Sequence, residues 1–194
     1  MDLVVLTSGG LDSTLVALMA HQRGLDVGPL FIDYGQIAKE KELEACLRSM
    51  RKHDLPAPDI VDLSGYGAKL PSGLTDRSTD IFLDAFLPGR NALLLLTAAS
   101  YGYRHGSTSV AIGLLDEDSS VFPDQTDKFL TSMEATLSTA LGVSLDILRP
   151  LGHMNKMQVL DLAKDYGVND TWSCHSDGYR PCGICIACRE FENT

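Results

Sequence analysis

The chain has 194 residues, 44% of them hydrophobic and 22% charged, enough to bury the core of one domain with a small appendage. Its formal net charge of −10, from 26 acidic and 16 basic residues, excludes the basic face that stable, sequence-independent nucleic-acid binding needs. No run of about 18 apolar residues marks a membrane span, and no basic, then apolar leader precedes the first strand-like segment, so a cytoplasmic protein is expected.

Residues 2–7 read as a short buried strand. Residues 13–22 space Leu15, Leu18 and Met19 as a helix does, with Gly24 as a stop. Residues 26–32 form a second strand, and residues 38–52 a charged helix with Leu43, Leu47 and Met50 on one face. A third strand is expected at 59–63. Residues 64–80, rich in Gly, Ser, Thr and Asp, read as a loop or mobile flap. A turn and a very apolar, buried helix follow within 86–106, then a fourth strand at 107–114, a helix at 126–141, a fifth strand at 144–151 and a last helix at 155–166. From about residue 172 the pattern turns irregular and cysteine-rich. Strands alternating with helices predict a doubly wound α/β fold on a parallel five-stranded sheet. Residues 1–170 would form that domain and 171–194 a tail packed on it. The junctions Ser8–Ser13, Asp33–Gln36 and Gly113–Asp118 would share the rim where such sheets bind ligands.

The first junction reads Ser8-Gly9-Gly10-Leu11-Asp12-Ser13-Thr14. Small residues let backbone N–H groups approach an anion, a helix start adds its dipole, and three hydroxyls add donors. Neither the Walker ending nor a G-x-G-x-x-G pattern is present. The alternative is a tight turn with Asp12 as helix cap. Asp12 could instead hold Mg²⁺ directly or through water. Lys156 is the candidate cation for a leaving phosphate; the alternative is a surface helix lysine.

Four of the five cysteines lie at Cys174, Cys182, Cys185 and Cys188. This C-x7-C-x2-C-x2-C spacing can close around one tetrahedral Zn²⁺, and four protein ligands would make it structural. Gly183 suits the tight turn, and His175 is an alternative ligand. An Fe–S cluster or a redox pair are the other readings.

The glycine turn resembles the pyrophosphate loop of the N-type ATP pyrophosphatases, which include GMP synthetase, NAD synthetase, argininosuccinate synthetase and tRNA-thiolating enzymes. The resemblance implies their adenine nucleotide alpha hydrolase-like fold. It also implies a loop that grips the β,γ-pyrophosphate of ATP while a substrate oxygen takes the α-phosphate as an adenylate. Both ends together are similar to the 7-cyano-7-deazaguanine (preQ0) synthase family. The shared features are SGGLDS at 8–13, DYGQ at 33–36, PGRN at 88–91, PD at 123–124, Asn155-Lys156 and the cysteine tail. That resemblance implies a homodimeric carbon–nitrogen ligase. It would activate 7-carboxy-7-deazaguanine with ATP and Mg²⁺, form the amide with ammonia and dehydrate it to the nitrile. Thr7, Ser8, Gly9, Gly10, Leu11, Asp12, Ser13, Thr14, Tyr34 and Gln36 would then bind ATP, with Lys156, Asp12 and Ser13 catalytic. Arg90, Asn91, Phe122 and Asp124 would meet the substrate, and the four tail cysteines a structural zinc.

The sequence departs from the family pattern at Ile37 and Ala38, where Arg-His is common. It departs again at Val121, Gln125 and Thr126, where Gly, Cys and Arg are usual beside the base and carboxylate. These departures motivate an alternative: the same adenylate passed to a different amine, such as a protein, outside queuosine biosynthesis. A non-catalytic nucleotide-binding domain is disfavoured by the intact loop and Lys156. tRNA thiolation is disfavoured by the net charge and by Cys46, which reads as a small buried hydrophobe.

Overall fold

The computed structural model describes residues 1–192. Five parallel strands, β1 (Leu3–Leu6), β2 (Val27–Asp33), β3 (Asp59–Asp62), β4 (Ser109–Ala111) and β5 (Asp146–Leu148), pair in the order β3-β2-β1-β4-β5. The chain builds outward from β1 through β2 to β3. It then crosses to the other side of β1 for β4 and β5, which puts a topological switch point between β1 and β4. Period-two alternation sorts the central strand. Leu3 and Val5 pack with helices α1 (Leu11–Gln22), α2 (Lys39–Lys52) and α6 (Lys156–Asp165). Val4 and Leu6 pack with α4 (Arg90–Arg104) and α5 (Asp127–Leu141). The expected doubly wound sheet is thus present, with both faces covered.

The local differences have physical reasons. Helix α1 is buried through Ser13–Ala20, wider than the Leu15, Leu18, Met19 stripe, because it lies between the sheet and α2 and α6. On α2 the inward face is Ala45, Cys46, Ser49 and Met50, with Leu43 against the core. Leu47 turns to solvent, where a 3.6-residue pitch carries it off the Cys46–Met50 stripe. Cys46 is fully buried, as a small apolar residue would be. Helix α4, expected to be wholly buried, sinks Asn91, Leu95, Ala98, Ala99 and Gly102 but exposes Leu96 and Tyr103.

The expected flap at 64–80 instead contains a short helix, α3 (Ser64–Lys69), then turns closed by Asp76 and Asp80 accepting backbone N–H groups. Leu74 from this stretch packs against Tyr34 and Leu87. A further helix, α7 (Ile186–Glu192), follows the one read as last. The tail is tied to the body before it reaches the cysteines. Asp170 pairs with Arg48 at 3.2 Å and its carbonyl accepts from Ser49 Oγ, while Trp172 N donates to Gly9 O at 2.9 Å. Among the described residues no helix is long and apolar enough to cross a membrane.

Candidate active site

The glycine turn ends β1 and starts α1. Gly10, in extended conformation, caps the helix with no side chain, so Asp12 is not the cap. The turn is organised by its own serines. Ser8 N donates to Ser13 Oγ at 3.1 Å, Gly10 N to Ser8 Oγ at 3.3 Å, and Ser13 Oγ to Gly10 O at 3.2 Å. Gly9 takes a positive φ of 77°, and any Cβ there would overlap the carbonyl oxygen of Glu42 on α2. A residue with a side chain cannot bring β1 this close to α2. The first N–H groups of α1 have no intrahelical acceptor, and Gly10, Asp12 and Ser13 line a cavity of about 270 Å³ at the carboxyl ends of β1, β2 and β4. These donors, with the helix dipole, make an anion cradle.

Lys156 is the first residue of α6, placed by Asn155 as N-cap and a reciprocal Asn155–Gln158 box. Its Nζ donates to both carboxylate oxygens of Asp12 at 3.0 Å, and lies 3.3 Å from Glu190 Oε2 on α7. It also sits 4.8 Å above the Phe191 ring. The side chain is only 13% exposed, so it is a site lysine rather than a surface one. Burial raises the Glu190 carboxyl above its ordinary value, opposed by Lys156 and helped by Asp12.

The β2 turn supplies the next wall. Gln36 Oε1 accepts Tyr34 N at 2.9 Å, and its Nε2 donates to Ile32 O and to Glu42 Oε2 at 3.1 Å. Burial pushes Glu42 up to about 7; Gln36 and Arg90 pull it down and Asp33 adds to the rise. Arg90, at the start of α4, stands 5.8 Å over the Tyr34 ring. Burial raises the Tyr34 phenol to about 12, against the nearby Arg90. The tail contributes Trp172, Ser173 and His175 to the same cavity. Burial, and then Arg90, lower the His175 imidazole to about 4. His175 lies outside the thiol cluster, so it is a cavity residue rather than an alternative metal ligand.

The four tail cysteines converge, with all Sγ atoms within 4.8 Å of one another and Cys182 and Cys188 3.9 Å apart. Backbone N–H groups of Ser176 and Cys182 donate to Cys174 Sγ, that of Cys185 to Cys182 Sγ, and that of Cys188 to Cys185 Sγ, at 3.3–3.4 Å. Such donors favour thiolates. Gly183 has a positive φ of 73° inside the tight turn.

The model of the family described as queuosine biosynthesis protein QueC matches residues 2–194. The chain belongs to that family. The 7-cyano-7-deazaguanine synthase of Sulfurimonas denitrificans is 33% identical over 96% of this chain and 88% of its own length. The enzyme of that name from Methanospirillum hungatei is 34% identical over 97% and 91%. In fold, this QueC-family chain resembles the U34-tRNA thiolase NcsA of Methanococcus maripaludis. The TM-score is 0.59 at 15% identity, covering 100% of this chain and 65% of that one. It also resembles the NMN synthetase of Francisella tularensis, with a TM-score of 0.57 at 20% identity, covering 90% and 66%. That NcsA structure contains a [4Fe-4S] cluster.

Of the residues that the sequence points to, Thr7, Ser8, Gly10, Asp12, Ser13, Tyr34, Gln36, Arg90, Asn91 and Lys156 line this cavity. Gly9, Leu11 and Thr14 are buried and do not line it. Asp124 is buried behind Asn91, whose N–H and Nδ2 donate to its carboxylate at 3.3 Å and its carbonyl at 2.8 Å. Phe122 packs on Phe86 with ring centres 5.1 Å apart. Neither is among the residues lining the cavity, and Asp124 is joined to it through Asn91. Val121 and Gln125 line an adjoining cavity that shares Asp12, Lys156 and Glu190 with the first. Sequence reasoning missed Glu42, Trp172, Ser173, His175 and Glu190. Only their fold neighbours reveal them, because Glu42 sits in a charged helix and the others in an irregular tail.

Proposed function

We propose that the chain adenylates the carboxylate of 7-carboxy-7-deazaguanine and converts it through the amide to 7-cyano-7-deazaguanine. The observation that carries this reading is the contact of Lys156 with Asp12 at the mouth of the serine–glycine cradle, in a chain of the QueC family. A carboxylate oxygen attacks the α-phosphorus of ATP, the bond to the pyrophosphate breaks, and AMP becomes the leaving group on the acyl carbon. The cradle N–H groups and Ser8 and Ser13 hold the β,γ-phosphates, and Lys156 neutralises charge as pyrophosphate departs. Ammonia then attacks the acyl carbon and AMP leaves, giving the amide. A second ATP activates the amide oxygen, which leaves with AMP as the nitrile forms and the nitrogen loses its protons.

The carboxylate of Asp12, on the cavity wall, fits Mg²⁺ and would hold it directly or through water. Bound there, Mg²⁺ would offset the charge of the leaving pyrophosphate. For the tail, a Zn–S bond of about 2.3 Å in a tetrahedron separates sulfurs by about 3.8 Å. The observed spacing of at most 4.8 Å fits one such ion. A cubane cluster holds four iron atoms inside its thiolates and needs them further apart. We therefore assign Cys174, Cys182, Cys185 and Cys188 a structural zinc that fastens α7 beside Lys156.

The test is incubation with ATP, Mg²⁺, 7-carboxy-7-deazaguanine and ammonium, followed by mass spectrometry and pyrophosphate release. The nitrile is expected. No pyrophosphate release with this carboxylate would overturn the reading.

A further inference from the structure

Among the carboxylates on the cavity wall, Asp12 and Glu190 lie against Lys156 at the cradle. Glu42 does not. It lines the same cavity from α2, with Oε2 fixed by Gln36 Nε2 at 3.1 Å and the Arg90 guanidinium close enough to act on it electrostatically. The cavity-lining Trp172 and His175 each keep a buried ring nitrogen, Nε1 and Nδ1, without a hydrogen-bond partner among the described residues. The opposite wall is apolar and comes from the α4 side of the sheet, with Leu6, Ile32, Leu94 and Ile112. The cavity is therefore two-sided, with one wall fit for a ring that needs only stacking and another built to exchange specific hydrogen bonds.

We infer that Glu42 is the specificity residue for the base, its carboxylate accepting the N1–H and 2-amino hydrogens of a 2-amino-4-oxo pyrrolopyrimidine. This rests on the function proposed above and goes beyond it. A carboxylate is acceptor-only and matches two adjacent donors. The same group opposite adenine would meet a ring-nitrogen acceptor and be repelled, so it selects for the guanine-type edge. Arg90, which lines the same cavity and is near enough to lower the Glu42 carboxyl, completes the pattern. The base edge reads donor, donor, acceptor, and a guanidinium beside a carboxylate meets the keto oxygen as the carboxylate meets the donors. A base lacking the 2-amino group keeps N1–H but withdraws one of the two donors, so part of the buried carboxylate is left unmatched and such a base is rejected more strongly than by an apolar pocket.

The experiment measures binding of 7-carboxy-7-deazaguanine and of its analogue lacking the 2-amino group, by calorimetry. It uses the full chain with its metal, with α,β-methylene-ATP present to prevent turnover. Wild type is expected to prefer the amino compound by roughly ten- to a hundredfold, and Glu42→Gln to lose most of that preference while binding the ATP analogue within about twofold of wild type. Equal wild-type affinity for the two bases would overturn the inference, and this arm needs no variant. So would a preference retained in Glu42→Gln, or an equal loss of ATP-analogue binding. If wild type forms no nitrile and binds neither base, the proposed function itself fails. If it forms the nitrile but does not discriminate, only the role of Glu42 fails.

Discussion

Replacing Glu42 by Gln should make the protein more stable at alkaline pH and leave it unchanged at acid pH. The carboxyl titrates at about 7 in the folded chain against an ordinary 4.5, chiefly because the cavity wall desolvates it. A folded pKa above the unfolded one means the folded state holds the proton more tightly. Its contribution to stability is full below about 4.5 and is lost as pH rises through about 7. The gap corresponds to about 3 kcal/mol above pH 8, a ceiling because the open cavity admits water. Glutamine keeps the shape, keeps an acceptor for Gln36 Nε2 and carries no charge to desolvate. For a chain of this size about 1 kcal/mol moves Tm by roughly 2–4 °C. Thermal unfolding of wild type and variant at pH 8.5 and 4 should show Glu42→Gln melting several degrees higher at the first and nearly together at the second. If the variant melts lower at both, the Gln36 and Arg90 contacts outweigh desolvation and the reasoning fails. A residue that weakens the fold at working pH is one retained for binding.

The catalytic assignments have their own expected outcomes. Lys156→Ala should lower pyrophosphate release by at least roughly a hundredfold with near-normal circular dichroism, as loss of a group that meets developing charge does; full activity would remove Lys156 from the mechanism. Cys185→Ser should lose bound zinc by elemental analysis and, by hydrogen exchange, loosen α7 and with it the Glu190 and Phe191 contacts to Lys156. Retention of stoichiometric metal would contradict the four-thiol site. Gly9→Ala should lower denaturant stability by more than about 1 kcal/mol, because it strains a positive φ and drives a methyl group into the Glu42 carbonyl; an unchanged midpoint would mean that α2 yields freely.

How far the sequence speaks depends on whether the signal is local. The central strands and the cradle are legible because β1, β2 and β4 are buried apolar runs, β1 leading into Ser8-Gly9-Gly10, and parallel order follows from the helices between. The thiol cluster was legible from spacing. Helix α3 was hidden by Gly65 and Gly67, which lower helix propensity. Gly67 is there because the backbone of Tyr34 passes where its Cβ would stand. Helix α7 is hidden because it spans only seven residues and carries Cys188 of the thiol cluster within it. Glu42, Trp172 and His175 became site residues only through long-range packing of α2 and the tail on the cradle, which no window of sequence contains.

The departures from the family pattern then take a definite meaning. Thr126, where an arginine is usual, caps α5 by accepting Phe129 N at 3.3 Å, and Gln125 Oε1 accepts the N–H groups of Val121 and Phe122 at 2.7 and 2.9 Å. Both residues are spent on fixing their own loop; such a cap is worth about 1 kcal/mol. Among the described residues on the main cavity wall the full cations are Arg90 and Lys156. Lys156 is held at the phosphate end by Asp12 and Glu190, so Arg90 is left to meet the acceptor groups of the base. The keto oxygen and the 7-carboxylate lie on the same side of that bicycle, and one planar fork can span them where a lysine's single ammonium cannot. Arg90→Lys should therefore raise KM for the carboxylate substrate by roughly tenfold while leaving KM for ATP within about twofold. An equal rise for both would place Arg90 on the nucleotide instead, and the acceptor half of the site would then have no cation of its own.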